Sequence, residues 1–273
     1  MASAHPDRLT GRGPRTFPPL ALAGGAALGI LFVTLPLVGL VLRAPWRSTL
    51  TVLGSPEALD AIRLSLLCSL SATALGLLLG VPLAWVQARV SYPGRSVVRA
   101  LTTLPMVLPP VVGGVALLFA FGRAGLLGGA LFNAFGVQLP FSTAGVIMAE
   151  TFVSMPFLVL TVEAGFRGVN PRLEEAARTL GAGQWRVFRT ITLPLAAPSV
   201  FAGAVLCWSR ALGEFGATIT FAGNLPGQTQ TLPLAVYVLL ETRPEAALLL
   251  SIVMVVVSVV VLVALRDRYL RIG

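Results

Sequence analysis

Lysine is missing from all 273 residues, so every one of the 20 basic residues is arginine. A phosphate-cradling P-loop needs its lysine on the β- and γ-phosphates, so the chain carries no ordinary one. Schiff-base catalysis is excluded for the same reason. Histidine is nearly as scarce: His5 stands alone, in the polar amino-terminal stretch. A serine–histidine triad and a histidine metal cluster are therefore not expected, and no metal site is assigned. Cysteine is limited to Cys68 and Cys207, both within apolar runs. They read as small packing residues, not as a disulfide framework. Charge as a whole is thin: 11% of residues are charged and 56% are hydrophobic. Soluble domains carry about 25% charged residues.

What is present is long uncharged runs separated by patches of arginine. Six of them read as membrane spans, each close to the ~20 residues that cross a hydrocarbon core. The first is Leu20 to Leu42, whose one polar side chain is Thr34. The second lies between Arg63 and Arg89, and the third between Arg99 and Arg123. The fourth runs from about Thr143 to Val162 and contains Glu150. The fifth is expected from near Leu195 to about Ile219, with Arg210 and Glu214 inside it on one helix face. The sixth is Ala246 to Leu265. The fold class is thus all-α, a polytopic membrane protein of about six transmembrane helices. The first run follows Arg8, Arg12 and Arg15 as a signal peptide would, but its 23 residues exceed the usual 7–15 of a signal's apolar region. Pro105, Pro109 and Pro110, then Gly113 and Gly114, interrupt the third span. They fit either close helix packing or a bent helix lining a pathway.

Arginines orient the spans, because cytoplasmic loops are enriched in basic residues. With both termini in the cytoplasm, inside segments hold 14 arginines and outside segments hold 5. A net charge of +9 laid out this way orients helices in a lipid bilayer and is no footprint for nucleic acid. The expected location is the inner membrane.

The longest inside loop, 167–194, carries the sharpest pattern. Asn170 can cap a helix, Pro171 suits its first turn, and Glu174 and Glu175 sit where the helix dipole favours anions. Leu173, Ala176, Ala177 and Leu180 recur at helical spacing and make one narrow apolar face. Gly181 stops the helix. A second short amphipathic helix is expected near Gln184, with Trp185, Phe188 and Ile191 on its apolar side. A helix lying on lipid headgroups would account for such a face, but the small Ala176–Ala177 pair suits close approach by a protein better.

Glu175-Ala176-Ala177, Gly181 after three residues, Ile191 after nine more, then Leu193-Pro194 resemble the "EAA" motif. That motif belongs to membrane subunits of binding-protein-dependent ABC importers. The segments Leu104–Gly128 and Ser209–Pro233 look like those of molybdate permeases, while sulfate permeases share the Gly213-Glu214-Phe215-Gly216-Ala217 core. The resemblance implies a type I importer membrane domain over 58–265. Residues 1–19 and 266–273 would be cytoplasmic tails, and 20–57 a first helix with its outer loop. It implies a permease for an oxyanion, molybdate before tungstate or sulfate. The partners would be a second copy of the chain, two ATP-binding subunits and an extracytoplasmic oxyanion-binding protein. No cofactor would sit in this chain, since ATP belongs to the partner. Glu175, Ala176, Ala177, Gly181, Ile191, Leu193 and Pro194 would form the ATPase-docking loop. Ser209, Arg210, Glu214, Thr218, Thr220 and Asn224 are the candidate pathway or gate residues. An ion channel or secondary transporter would share the six spans and buried charges but not this spacing. A membrane-embedded enzyme is not expected, for want of histidine, lysine and clustered carboxylates in the spans.

Overall fold

The computed structural model describes residues 20–269. The expected tail 1–19, with His5, Arg8, Arg12 and Arg15, lies outside the described residues, as does 270–273. The chain divides into two units, Met1–Ala44 and Pro45–Gly273. All regular structure among the described residues is helical.

The first unit contains α1, Leu20–Leu42, the expected first span. Pro36 lies inside it, and the Thr34 hydroxyl donates to the Ile30 carbonyl at 2.8 Å, so its polar atom is satisfied within the helix.

The second unit opens with short α2 (Thr49–Leu53) and then the long α3 (Pro56–Arg89). Ser55 caps α3 by accepting from the Ala58 amide, Pro56 occupies its first turn, and Arg89 ends it. Its 34 residues extend for roughly 51 Å. It overruns the expected second span by beginning before Arg63. After it come α4 (Arg95–Val107), α5 (Pro110–Phe121), α6 (Gly128–Phe135) and α7 (Thr143–Gly168). The loop 167–194 holds α8 (Pro171–Thr179) and α9 (Gln184–Val187). Then come α10 (Leu193–Leu212), α11 (Gly216–Phe221), α12 (Leu232–Thr242) and α13 (Pro244–Tyr269).

α7 is the central post, packed against α3 and α10. Leu158, Val159, Val162 and Phe166 of α7 meet Ala84 of α3 and Ala196 and Cys207 of α10 in one fully buried cluster. Small residues bring these helices together, as expected without a hydrophobic drive between helices in lipid. A Cβ on Gly80 would lie 2.9 Å from Leu158, and one on Gly165 only 2.3 Å from Ser199. Trp208 Nε1 donates to Ser69 Oγ at 2.9 Å, pinning α10 to α3. Cys68 and Cys207 are both buried free thiols.

Two further spans depart from expectation, and one helix was not expected. The third is two helices, α4 and α5, meeting at a bend of 120°. Leu108 and Pro109 are extended because each precedes a proline, and Pro109 and Pro110 have no amide hydrogen to continue the ladder. The fifth begins earlier and ends earlier. α9 is not a separate helix but the first turn of a 29-residue run, Gln184–Leu212, joined to α10 by a π turn over Phe188–Thr192. The wide turn accommodates the missing donor of Pro194. The run stops at Leu212, and α11 restarts after Gly213–Phe215. Finally, the apolar helix α12 went unread; its amide at Leu232 donates to Ser65 Oγ on α3 at 2.6 Å.

Candidate functional site: the 167–194 loop and the buried charges

The loop 167–194 folds as its residues suggest. Asn170 Oδ1 accepts from the Arg172 amide at 3.0 Å and Pro171 opens α8. At the far end Gly181 adopts φ +84°. Its amide donates to the Arg178 carbonyl at 2.9 Å and the Ala182 amide to the Ala177 carbonyl at 3.0 Å. That pair of bonds is a Schellman closure, which wants a glycine in the left-handed region.

Within the chain the apolar face of α8 is largely uncovered, whereas Phe188 of the π turn packs on Trp85 and Phe166. Leu173 is 49% exposed and Leu180 89%; Trp185, at 67%, stacks on the half-buried Phe188 with ring centroids 5.5 Å apart. Glu175 and Ala176 are exposed and Ala177 is half-buried. Ile191 and Leu193 are half-buried in the π turn and the start of α10, with Pro194 exposed beside them.

The two neighbouring glutamates part company. Glu174 is buried. Its Oε1 accepts from Arg89 Nη2 at 2.8 Å and from Thr192 Oγ1 at 2.8 Å. Arg89 Nη2 also donates to the Val169 carbonyl at 3.1 Å, and Arg178 stands 3.8 Å from Glu174 Oε2. Sequence reasoning gave Glu174 a dipole role only. Its partner Arg89 ends a helix 85 positions away, and the one available hint was a pair of adjacent acids, about 100° apart around a short helix. A second cluster joins Glu163 of α7 to Arg99 of α4 and, at 2.8 Å, to Arg167. Gln87 Nε2 donates to Thr102 Oγ1 at 2.9 Å nearby.

In the fifth span Arg210 Nη1 and Glu214 Oε2 pair at 2.6 Å. They do so across the end of α10, not along one helix face, because the helix stops between them. Glu214 Oε1 accepts from the Ala217 amide at 2.9 Å and so caps α11. Thr218, fully buried one turn on, has no partner for its hydroxyl, and neither does Asn224 for its Oδ1. Ser209 and Thr220 donate to their own helix carbonyls, Leu206 at 3.1 Å and Gly216 at 2.8 Å. Glu150 of α7 is buried with Oε2 unpartnered. α11 lies tight against α5: a Cβ on Gly114 would fall 2.7 Å from Thr220 Cβ and 2.8 Å from the Ala217 carbonyl. No cluster of three or more metal-ligating side chains occurs among the described residues.

The family model described as "Binding-protein-dependent transport system inner membrane component" matches residues 72–271. The chain belongs to this family. Among relatives of this binding-protein-dependent permease, the molybdenum transport system permease protein ModB of Mycobacterium tuberculosis is 46% identical over 245 residues, covering 89% of this chain and 92% of that one. The Escherichia coli K12 protein of the same description is 46% identical over 191 residues, 70% and 83% of the two chains. The sulfate transport system permease protein CysT of Escherichia coli K12 is 33% identical over 266 residues, 95% of each. A solved bacterial ABC transporter involved in import of the acidic polysaccharide alginate superposes with TM-score 0.72 at 22% identity, over 93% of this chain and 95% of that one. At that identity the likeness establishes the fold: a type I importer membrane domain.

Proposed function

We propose that this chain is the permease subunit of an ATP-driven importer that moves an oxyanion, molybdate foremost, across the inner membrane. The observation that carries the cargo is the difference in relatedness: 46% identity to permeases named for molybdenum against 33% to one named for sulfate. The uncovered apolar face of α8, ending in the Gly181 turn, supports docking to an ATP-hydrolysing subunit.

In this reading two copies of the chain enclose a pathway. Each presents α8 to one of two ATP-binding subunits, and an oxyanion-binding protein delivers cargo from outside. ATP binding draws the two α8 helices together and opens the pathway outward; hydrolysis resets it. No covalent chemistry takes place in the permease. Both termini face the cytoplasm, as the arginine distribution supports. Ser209, Arg210, Glu214, Thr218, Thr220 and Asn224 contribute to the pathway or its gate. Arg210, neutralised by Glu214, attracts an anion without trapping it, and weak multiple contacts let an ion leave.

Uptake in a strain lacking its own molybdate importer tests this. Molybdate uptake is expected to persist with sulfate at equal concentration. Suppression by sulfate would make the cargo sulfate, and indifference to every oxyanion would overturn the reading.

A further inference from the structure

We propose that Glu174 is a positioning residue that fastens α8 to both α3 and α10, so that a push on α8 moves the three as one body. This rests on the permease reading above and assigns the mechanical link within it.

The geometry converges on one carboxylate oxygen. Glu174 Oε1 receives Arg89 Nη2 from the last turn of α3 and Thr192 Oγ1 from the π turn that leads into α10, each at 2.8 Å. The same Arg89 Nη2 holds the Val169 carbonyl, the strand of chain by which α7 enters α8. Three helices and one connector therefore meet within a single hydrogen-bonded knot. The knot is largely dry: the side chains of Arg89 and Glu174 are 15% and 7% exposed. A charge pair sheltered from water keeps its geometry far better than an exposed one, because screening and competing water are reduced.

The attachment is also one-sided. Glu174 lies in the first turn of α8, whereas the other end of the helix carries Leu180, almost fully exposed, and Gly181, around which there is open space. α8 is tied at its start and unsupported at its finish. Force applied along its exposed face has one stiff exit, through Arg89 into the 34-residue α3 and through Thr192 into α10. Glu175, the acid of the motif, is exposed. The two adjacent glutamates thus divide the work, one facing inward to the permease and one outward.

The test measures molybdate uptake and ATP hydrolysis in parallel on the full importer in proteoliposomes. Variants are Glu174→Ala, Glu174→Gln and Thr192→Val, with co-purification of the ATPase subunit recorded for each. In Glu174→Ala, ATP hydrolysis should continue while ions moved per ATP fall at least tenfold. Glu174→Gln retains an Oε1 acceptor and should recover most of the coupling. Thr192→Val keeps the Arg89 pair, loses only the tie to α10 and should be intermediate. Wild-type ions per ATP in Glu174→Ala would overturn the proposal. So would parallel loss of ATPase co-purification and uptake with the ratio unchanged, which marks a scaffold. If instead the unaltered importer moves no oxyanion or recruits no ATPase, the permease reading fails, and that outcome is distinct.

Discussion

Arg210 is the only charged side chain between Arg189 and the end of α10, and its meaning depends on a partner it meets over a helix end. The four-residue spacing to Glu214 made the pairing legible; the stop at Leu212 was marked only by Gly213, and glycine is also frequent within membrane helices, so the restart at α11 under the Glu214 cap did not show. The pair is asymmetric. Glu214 is 1% exposed and Arg210 28%. Removing the arginine strands a buried carboxylate, which in a fully buried pair costs about 3–5 kcal/mol. Removing the negative charge leaves an arginine that can still reach water. Arg210→Ala is therefore expected to lower the detergent-solubilised melting midpoint clearly more than Glu214→Gln, which preserves the acceptor for Ala217. Equal midpoints would refute that asymmetry. Exchanging the two residues should lose both folding yield and transport.

Among elements, α8 was the most readable, since its cap, first-turn proline and glycine stop are all local signals. Its tie to α3 was not, because sequence carries no trace of which arginine ends beside which glutamate. Likewise Pro109–Pro110 announced a break in the third span, but the 120° angle comes from how α5 seats on α11 through Gly114 and Gly216. α12 was missed because its 11 residues, ending in Glu241 and Thr242, fall short of the ~20 apolar residues that signal a span. Two glycine predictions follow different physics. At Gly181 there is open space, so a side chain meets no atom and only the backbone conformation matters. A left-handed L-residue costs roughly 1–2 kcal/mol, and asparagine tolerates it best. Gly181→Val should leave membrane levels normal and abolish uptake, while Gly181→Asn retains it; uptake assays of the two variants decide. At Gly114 the conflict is steric instead. Gly114→Ala is expected to destabilise by about 1–3 kcal/mol as α5 is pushed off α11, whereas Gly168→Ala, with nothing within 4 Å, should be neutral in the same melting assay.

Over the whole molecule, the apolar helices were legible because the arginines fall at the ends of the apolar runs, and the one-sided excess of arginine sets the orientation expected of them. The central place of α7 was not, for hydropathy is nearly blind to which apolar helix faces protein and which faces lipid. The burial of both native thiols supplies a direct check on orientation. A membrane-impermeant maleimide should leave the unaltered chain unlabelled in intact cells. A cysteine placed at exposed Leu126 should react from outside, and one at exposed Leu180 only after the membrane is opened. Labelling of the Leu180 position in intact cells would invert the topology.

The elbow between α4 and α5 has a consequence for solvation. Its depth is bracketed: on one side Arg99 is bound to Glu163, and on the other Gly113 packs on Phe152, both partners on α7. The elbow therefore lies level with the interior stretch of a helix that spans the bilayer. Carbonyls freed there by two prolines have no donor in hydrocarbon, and lipid-facing irregular backbone does not persist at that depth. Pro109 and Pro110 are exposed in the single chain. Their surroundings in the membrane must then be water or another polypeptide, never acyl chains. A nitroxide at Leu108 should be relaxed by an aqueous nickel chelate, or shielded altogether in the assembled importer, and should respond weakly to dissolved oxygen. Where those surroundings are water, the lipid barrier around this protein is pierced from within at the elbow, and a hydrated ion would have a place to pause inside the membrane.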